Sequence, residues 1–399
     1  MRRTRWIGVV ALAACAAVAV GVFAGAGAAR PSASPIVIGW AHDSTGPMAP
    51  FDGPALAAAM IRVKQLNARG GVAGRQLVIK TCDTQGDKPS VSKACADKLI
   101  GQGANIIFTT CDVDLAAPAV QESINRGLLT VAPCIGTDQM GPSRFGPAGK
   151  LAFSFGNVAQ DEGSAMAQFA WKKGWRKAAL ATDTVIVYFK NVVQAFAARW
   201  KQLGGKIVSQ VTYQDPAFHG NNVQNAVSHL NDASADVIVT STAGAYGALA
   251  PLITGLRTLG NDTPVLNSWA GDGTYWLPKS PPVTNYFFVT YADSFGQDPN
   301  AAVNKLAKQV HAATGGFVTG PAAIDGVASA IRRAHGSTNG STLASIMQTF
   351  HNVPTLSGLV SFSPTLHSVF GRSYRVVEIE NNKPRLVTTL RAKVVPKIS

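Results

Sequence analysis

The chain has 399 residues, of which 46% are hydrophobic and 15% charged. That balance excludes a disordered protein and leaves length enough for two hydrophobic cores. Its 36 basic and 22 acidic residues give a net charge of +14, yet no basic run beyond the leader exceeds two residues and no aromatic–basic interleaving accompanies it. The excess therefore reads as a solvated basic surface, and no nucleic-acid partner is expected.

Arg2, Arg3 and Arg5 precede an apolar run from Trp6 to Ala24 and small residues through Ala29. This is the pattern of a signal peptide over 1–29, predicting export to the periplasm or cell surface. Its removal leaves 33 minus 22 charges, or +11. One alternative is an uncleaved anchor, since about nineteen apolar residues just span a bilayer core of roughly 30 Å. Another is lipidation, because Leu12-Ala13-Ala14-Cys15 resembles a lipobox and would leave Cys15 as the anchored residue. Cys82, Cys95, Cys111 and Cys134 follow the leader. An even number in an exported chain predicts two disulfides, with three possible connectivities.

After a Pro/Ser linker over 30–35, β-rich apolar runs alternate with helical patterns. Strands are predicted at Ile36–Trp40, Gln76–Thr81, Asn105–Thr109 and Leu128–Ala132, with helices after Gly53 and over Ser90–Ile100 and Ala116–Arg126. The rhythm restarts with strands at Ala152–Phe155, Lys177–Thr182, Lys206–Thr212, Ala235–Ser241, Pro264–Leu266 and Tyr286–Thr290. Helices at Asp161–Lys173, Phe189–Leu203, Asn222–Asn231 and Tyr246–Leu259 separate them. Strands spaced by single helices imply βαβ units and parallel sheets, here in two α/β lobes. Three helical segments follow, over Asn300–Ala313, Pro321–His335 and Ser341–Phe350. The tail leaves this rhythm with a hairpin, Tyr374–Glu380 and Arg385–Thr389 about an Asn-rich turn.

Four stretches, in order and at matching spacing, are IGWAHDSTGPMAPFDG, LNARGGVAGRQL, CDTQGDKPSVSKACADKLI and GLLTVAPCIGTDQM. Through them the chain resembles the bacterial leucine/isoleucine/valine-binding family, the type I periplasmic substrate-binding proteins of ABC importers, from Ile36 to about Val387. The resemblance implies two Rossmann-like lobes joined by a three-stranded hinge, with a small solute clamped between them. It divides the chain into 36–156 plus 292–361 and 157–291 plus 362–399, with hinges near Phe155–Val158, Tyr291–Phe295 and Ser361–Gly371. It further implies a branched-chain amino acid, amide or related compound as solute, permease subunits as partners, a monomer, and neither cofactor nor metal.

Carried over by position, Ser44 and Phe51 lie on the first cleft loop, with Phe51 either against the ligand or sealing its own lobe. Asp112 stands where amino-acid-binding members place a serine near the α-groups. A desolvated carboxylate there would repel a ligand carboxylate, so either the solute is not a simple α-amino acid or Asp112 caps the next helix. Cys134, Gly136 and Thr137 replace a small residue and a threonine, and their backbone N–H groups could receive an anion. In the second lobe Tyr188, Tyr246 and Trp269 supply aromatic contacts, and Asp272 falls near the acidic residue that holds an α-ammonium. In a 2-1-3-4-5 sheet Cys111 and Cys134 end neighbouring strands, while Cys82 ends a strand whose following helix carries Cys95. This favours Cys82–Cys95 and Cys111–Cys134; Cys82–Cys111 is the alternative, because some relatives bridge those strands.

A secreted enzyme is the main rival class. The sequence has no G-x-S-x-G, P-loop, H-E-x-x-H or G-x-G-x-x-G motif, and its seven histidines show no metal spacing. His42 beside Asp43 is the one conceivable acid–base pair. A second rival, a sensor domain of the same fold, needs the leader to persist as an anchor.

Overall fold

The computed structural model describes residues 34–215 and 223–398. The leader, Cys15 and the linker up to residue 33 lie outside the described residues. The first half alternates β1 (Ile36–His42), α1 (Ala49–Asn67), β2 (Leu77–Asp83), α2 (Pro89–Gly101), β3 (Ile106–Phe108), α3 (Val113–Asn125), β4 (Leu129–Ala132), α4 (Pro142–Phe145) and β5 (Ala152–Asn157). The second repeats the rhythm with α5 (Ala159–Lys172), β6 (Lys177–Asp183), α6 (Val187–Gln202), β7 (Lys206–Tyr213), α7 (Val223–Asn231), β8 (Val237–Ser241), α8 (Leu249–Thr258), β9 (Val265–Asn267) and β10 (Tyr286–Thr290). α9 (Ala301–Val310), α10 (Thr319–Arg333) and α11 (Gly340–Met347) come next. A small hairpin of β11 (Val353–Thr355) and β12 (Gly358–Val360), then β13 (Ser368–Val369), β14 (Ser373–Glu380) and β15 (Lys383–Arg391), complete the chain.

One sheet has the order β13-β5-β4-β3-β1-β2 and the other β15-β14-β10-β9-β8-β6-β7. Each contains the parallel 2-1-3-4-5 arrangement, because short βα loops and right-handed crossovers favour it. β4 and β8 are wholly buried, as expected of strands covered by helices on both faces. The antiparallel β14–β15 pair extends the second sheet beyond β10. The architecture is two α/β lobes, and the chain crosses between the sheets after Asn157, after Thr290 and between Val369 and Ser373.

The last crossing differs from the sequence reading, which gave 362–399 to the second lobe. Ser368–Val369 pairs with β5, and the Phe362 ring meets Phe153 and Phe155 at 5.2 and 5.4 Å, so this stretch stays with the first sheet. Its apolar side chains complete that core before the chain leaves. The crossing itself carries the fully buried Arg372, whose Nη2 donates to the Phe155 carbonyl at 2.8 Å. Helix α1 also begins earlier than its apolar periodicity suggests. Asp43 Oδ2 accepts the Met48 N–H there, and Asp52 in the first turn accepts the Asp43 N–H in return.

Cys82 is bonded to Cys95 with a Cα separation of 5.5 Å, fastening β2 to α2. Cys111 is bonded to Cys134 at 4.8 Å, joining the chain beyond β3 to that beyond its neighbour β4. These are the favoured pairs.

Candidate functional site

In an open parallel sheet the strands' carboxyl ends diverge where the order reverses, and the loops there leave a crevice. In the first lobe this point lies between β1 and β3, and in the second between β6 and β8. The two crevices face one another. Met48 and Phe51 after β1 and Cys111 and Asp112 after β3 meet Ile186, Tyr188 and Phe189 after β6, Tyr246 after β8 and Trp269 after β9. The cavity they line is about 20 Å³.

Its walls are aromatic and touch across the lobes. Phe51 meets Trp269 edge-on at 5.0 Å, and the Tyr246 hydroxyl donates to Met48 Sδ at 3.3 Å. Within the second lobe Trp269 stands 6.5 Å from Tyr188 and stacks on Tyr291 at 4.8 Å. Beneath them lies the fully buried Glu162, which accepts the Trp269 backbone N–H at 2.6 Å and the Tyr188 hydroxyl at 2.9 Å. Burial pushes its carboxyl up to about 8, so it holds a proton at neutral pH.

Polar bonds also span the cleft. Asp114 accepts Arg144 Nη1 of its own lobe at 2.7 Å and, through its other oxygen, the Val187 N–H at the start of α6 at 2.8 Å. Gln160 Nε2 donates to Asp138 at 2.8 Å. Gly136 of the first lobe lies so near Tyr188 of the second that a Cβ would stand 2.6 Å from the ring. Only glycine permits this approach.

The expected site residues divide into two groups. Phe51, Asp112, Tyr188, Tyr246 and Trp269 converge on the cavity, with Gly136 pressed against Tyr188. Asp112 also caps α3, its Oδ1 accepting the N–H groups of Asp114 and Leu115 at 2.9 and 3.2 Å. Burial, with Asp114 nearby, pushes it up to about 7. The other residues turn elsewhere. Ser44 is exposed, and its hydroxyl donates to Asp83 at 2.5 Å. Thr137 Oγ1 accepts the Gln139 N–H inside its own turn, and Cys134 is buried in its disulfide. Asp272 does not line the cavity: its Oδ2 accepts Thr290 Oγ1 and the Gly315 N–H at 2.6 and 2.5 Å.

Sequence reasoning missed Met48, Cys111 as a wall residue, Ile186, Phe189 and Glu162. Cys111 and Ile186 were discoverable as loop residues just beyond strand ends, and Met48 and Phe189 as residues at the start of the helices that follow, whereas Glu162 reads only as an acidic residue in a helix's first turn. The conceivable pair of His42 and Asp43 is not assembled, because Asp43 accepts the N–H groups of Gly46, Met48 and Gly86. Among the described residues the one acid–sulfur grouping, Asp52 with Cys111 and Cys134, has its sulfurs in a disulfide and its carboxylate on two backbone N–H groups.

Residues 35–384 match the family model described as periplasmic binding protein. The chain is 23% identical over 342 residues to the Leu/Ile/Val-binding protein homolog 3 of Brucella melitensis, covering 85% of this chain and 90% of that one. Its fold is similar to that of LivJ, a branched-chain amino acid transporter substrate-binding protein of Streptococcus pneumoniae in complex with isoleucine. The TM-score is 0.75 at 17% identity, covering 90% of this chain and 99% of that one. A solute-binding protein of an ABC transporter from Rhodopseudomonas palustris HaA2, in complex with p-hydroxybenzoic acid, gives 0.74 at 16% identity over 90% and 97%. With the paired switch points and the family match over nearly all of the described chain, this protein belongs to the periplasmic binding protein family, in the leucine/isoleucine/valine-binding-like type I group.

Proposed function

We propose that this chain is an extracytoplasmic solute receptor of an ABC importer, which captures a small solute by hinge closure and presents the closed form to the permease subunits. The observation that carries the reading is the aromatic cavity formed where the switch points of the two sheets face each other. A volume of about 20 Å³ holds little more than one water, so a solute enters only if the lobes part about their three crossings. The walls suit an apolar body, as in a branched-chain amino acid, an amide or a related compound. The isoleucine held by the Streptococcus relative and the p-hydroxybenzoic acid held by the Rhodopseudomonas relative both have such a body. On this reading the chain binds its solute without catalysis and acts as a monomer.

Calorimetry over amino acids, amides, amines and aromatic acids, combined with small-angle scattering, tests the reading. A binder should reduce the radius of gyration, and Trp269 should report it by a fluorescence change that Trp269→Phe removes. If no compound in the panel produces heat or compaction, the receptor reading fails.

A further inference from the structure

The head group of the solute is written in what the cleft's backbone donors already hold. An anionic ligand is normally received by free N–H groups at helix N-termini. Here the chain's own carboxylates take those positions. Asp112 caps α3, Asp114 takes the Val187 N–H that opens α6, and Asp215 takes the Ala248 N–H ahead of α8 at 2.8 Å. Asp43 takes the Gly46 and Met48 N–H groups of the first cleft loop, and Asp52 takes the Cys111 N–H. A carboxylate ligand would have to displace them or lie beside them.

The cavity wall has the same bias. Among the described residues no lysine, arginine or histidine lines it, and Asp112 is its one carboxyl side chain. Both cap bonds of Asp112 fall on Oδ1, so the cap does not use Oδ2. Arg144, the cation on this edge of the cleft, is paired with Asp114. Phe51, Tyr188, Tyr246 and Trp269 line the same cavity, and aromatic rings attract a cation electrostatically, more strongly once water is excluded. An aromatic box with one carboxyl group, which an arriving cation draws into its charged form, and no opposing cation among the described residues receives an ammonium group and rejects an anion.

We propose that the solute is a small organic ammonium compound with an apolar body and no free carboxylate, its charge placed between Asp112 and the aromatic walls. This rests on the receptor reading and specifies its ligand class. The class departs from both the amino acid and the aromatic acid of the structural relatives.

The test keeps the apolar body and varies the head group, using calorimetry and scattering on the whole chain. Leucinamide carries the ammonium without the carboxylate, leucine carries both, 4-methylpentanamide neither, and 4-methylpentanoate only the anion. 2-Phenylethylamine and 4-hydroxybenzoate repeat the contrast on an aromatic body. The amines should bind at least about tenfold more tightly than the acids, from the cost of a like charge and the gain of a charged hydrogen bond. Asp112→Asn keeps a competent helix cap and should weaken the amines about tenfold or more, shrinking their advantage over 4-methylpentanamide. Tighter binding of leucine, 4-methylpentanoate or 4-hydroxybenzoate overturns the proposal and leaves the receptor reading standing. So does an Asp112→Asn variant that melts like the parent and binds amines as well. Silence across the whole series overturns both.

Discussion

Gly136→Ala isolates the hinge. A Cβ at 136 would stand 2.6 Å from Cε2 and 2.8 Å from Cδ2 of Tyr188. Carbon atoms pack best at about 3.5–4.0 Å, so the ring must withdraw by about 1 Å. It is not free to do so, because its hydroxyl is held by both Glu162 oxygens at 2.9 and 3.0 Å. Gly136 does not adopt a left-handed conformation, so alanine brings no backbone strain of its own. Overpacking of this kind costs about 1–3 kcal/mol. Since the two residues belong to different lobes, the cost falls on the closed arrangement and vanishes when the lobes part. At about 2 kcal/mol the closed-to-open ratio drops roughly 30-fold, and affinity for a solute bound between the lobes drops with it. Calorimetry should show the weaker binding, and scattering less compaction than the parent at the same solute concentration, with little change in melting temperature. Gly53→Ala, where a Cβ meets nothing within 4 Å, is the control. If Gly136→Ala is as compact as the parent and binds as tightly, the closure argument is wrong.

Three further outcomes follow from the same structure. Asp114→Ala removes the bond across the cleft to Val187 N–H together with the Arg144 pair, and should weaken the closed state by about 1–3 kcal/mol, read as an affinity loss with nearly unchanged melting. Burial raises Glu162 from 4.5 to about 8 and both Asp112 and Asp272 from 3.8 to about 7, so the folded chain holds protons that the unfolded chain releases near pH 4. Stability should therefore fall as pH rises from about 4.5 through 7–8, with a higher melting temperature at pH 5 than at pH 8 and a flatter profile in Glu162→Gln; a profile rising toward pH 8 would contradict these assignments. Replacing Cys111 and Cys134 by alanine opens a loop of sequence separation 23 and should cost about 3 kcal/mol in chemical denaturation.

The fold was legible because strands and helices alternate with the periods that buried parallel sheets require, and the ends of β10 fall where its apolar run begins and ends. What escaped was short or shaped by tertiary contact. β13 has two residues and exists because the edge of β5 is there to pair with, and β11 and β12 have three each. No periodicity can announce elements of that length.

The site was legible as positions but not as partners. Residues beyond strand ends must meet at a switch point, and Phe51, Asp112, Tyr188, Tyr246 and Trp269 do. Sequence cannot say whether a carboxylate in such a loop faces a solute or a backbone N–H, because both need the same side chain at nearly the same place. Asp112 and Asp272 show the two outcomes. Asp112 caps α3 through one oxygen while still lining the cavity, whereas Asp272 is drawn inward by Thr290 and Gly315. The number of aspartates bound to cleft-edge N–H groups is what turns a family likeness into a question about charge. Donors already filled by the chain are lost to an anionic ligand, and a carboxylate left beside aromatic rings selects for the opposite sign.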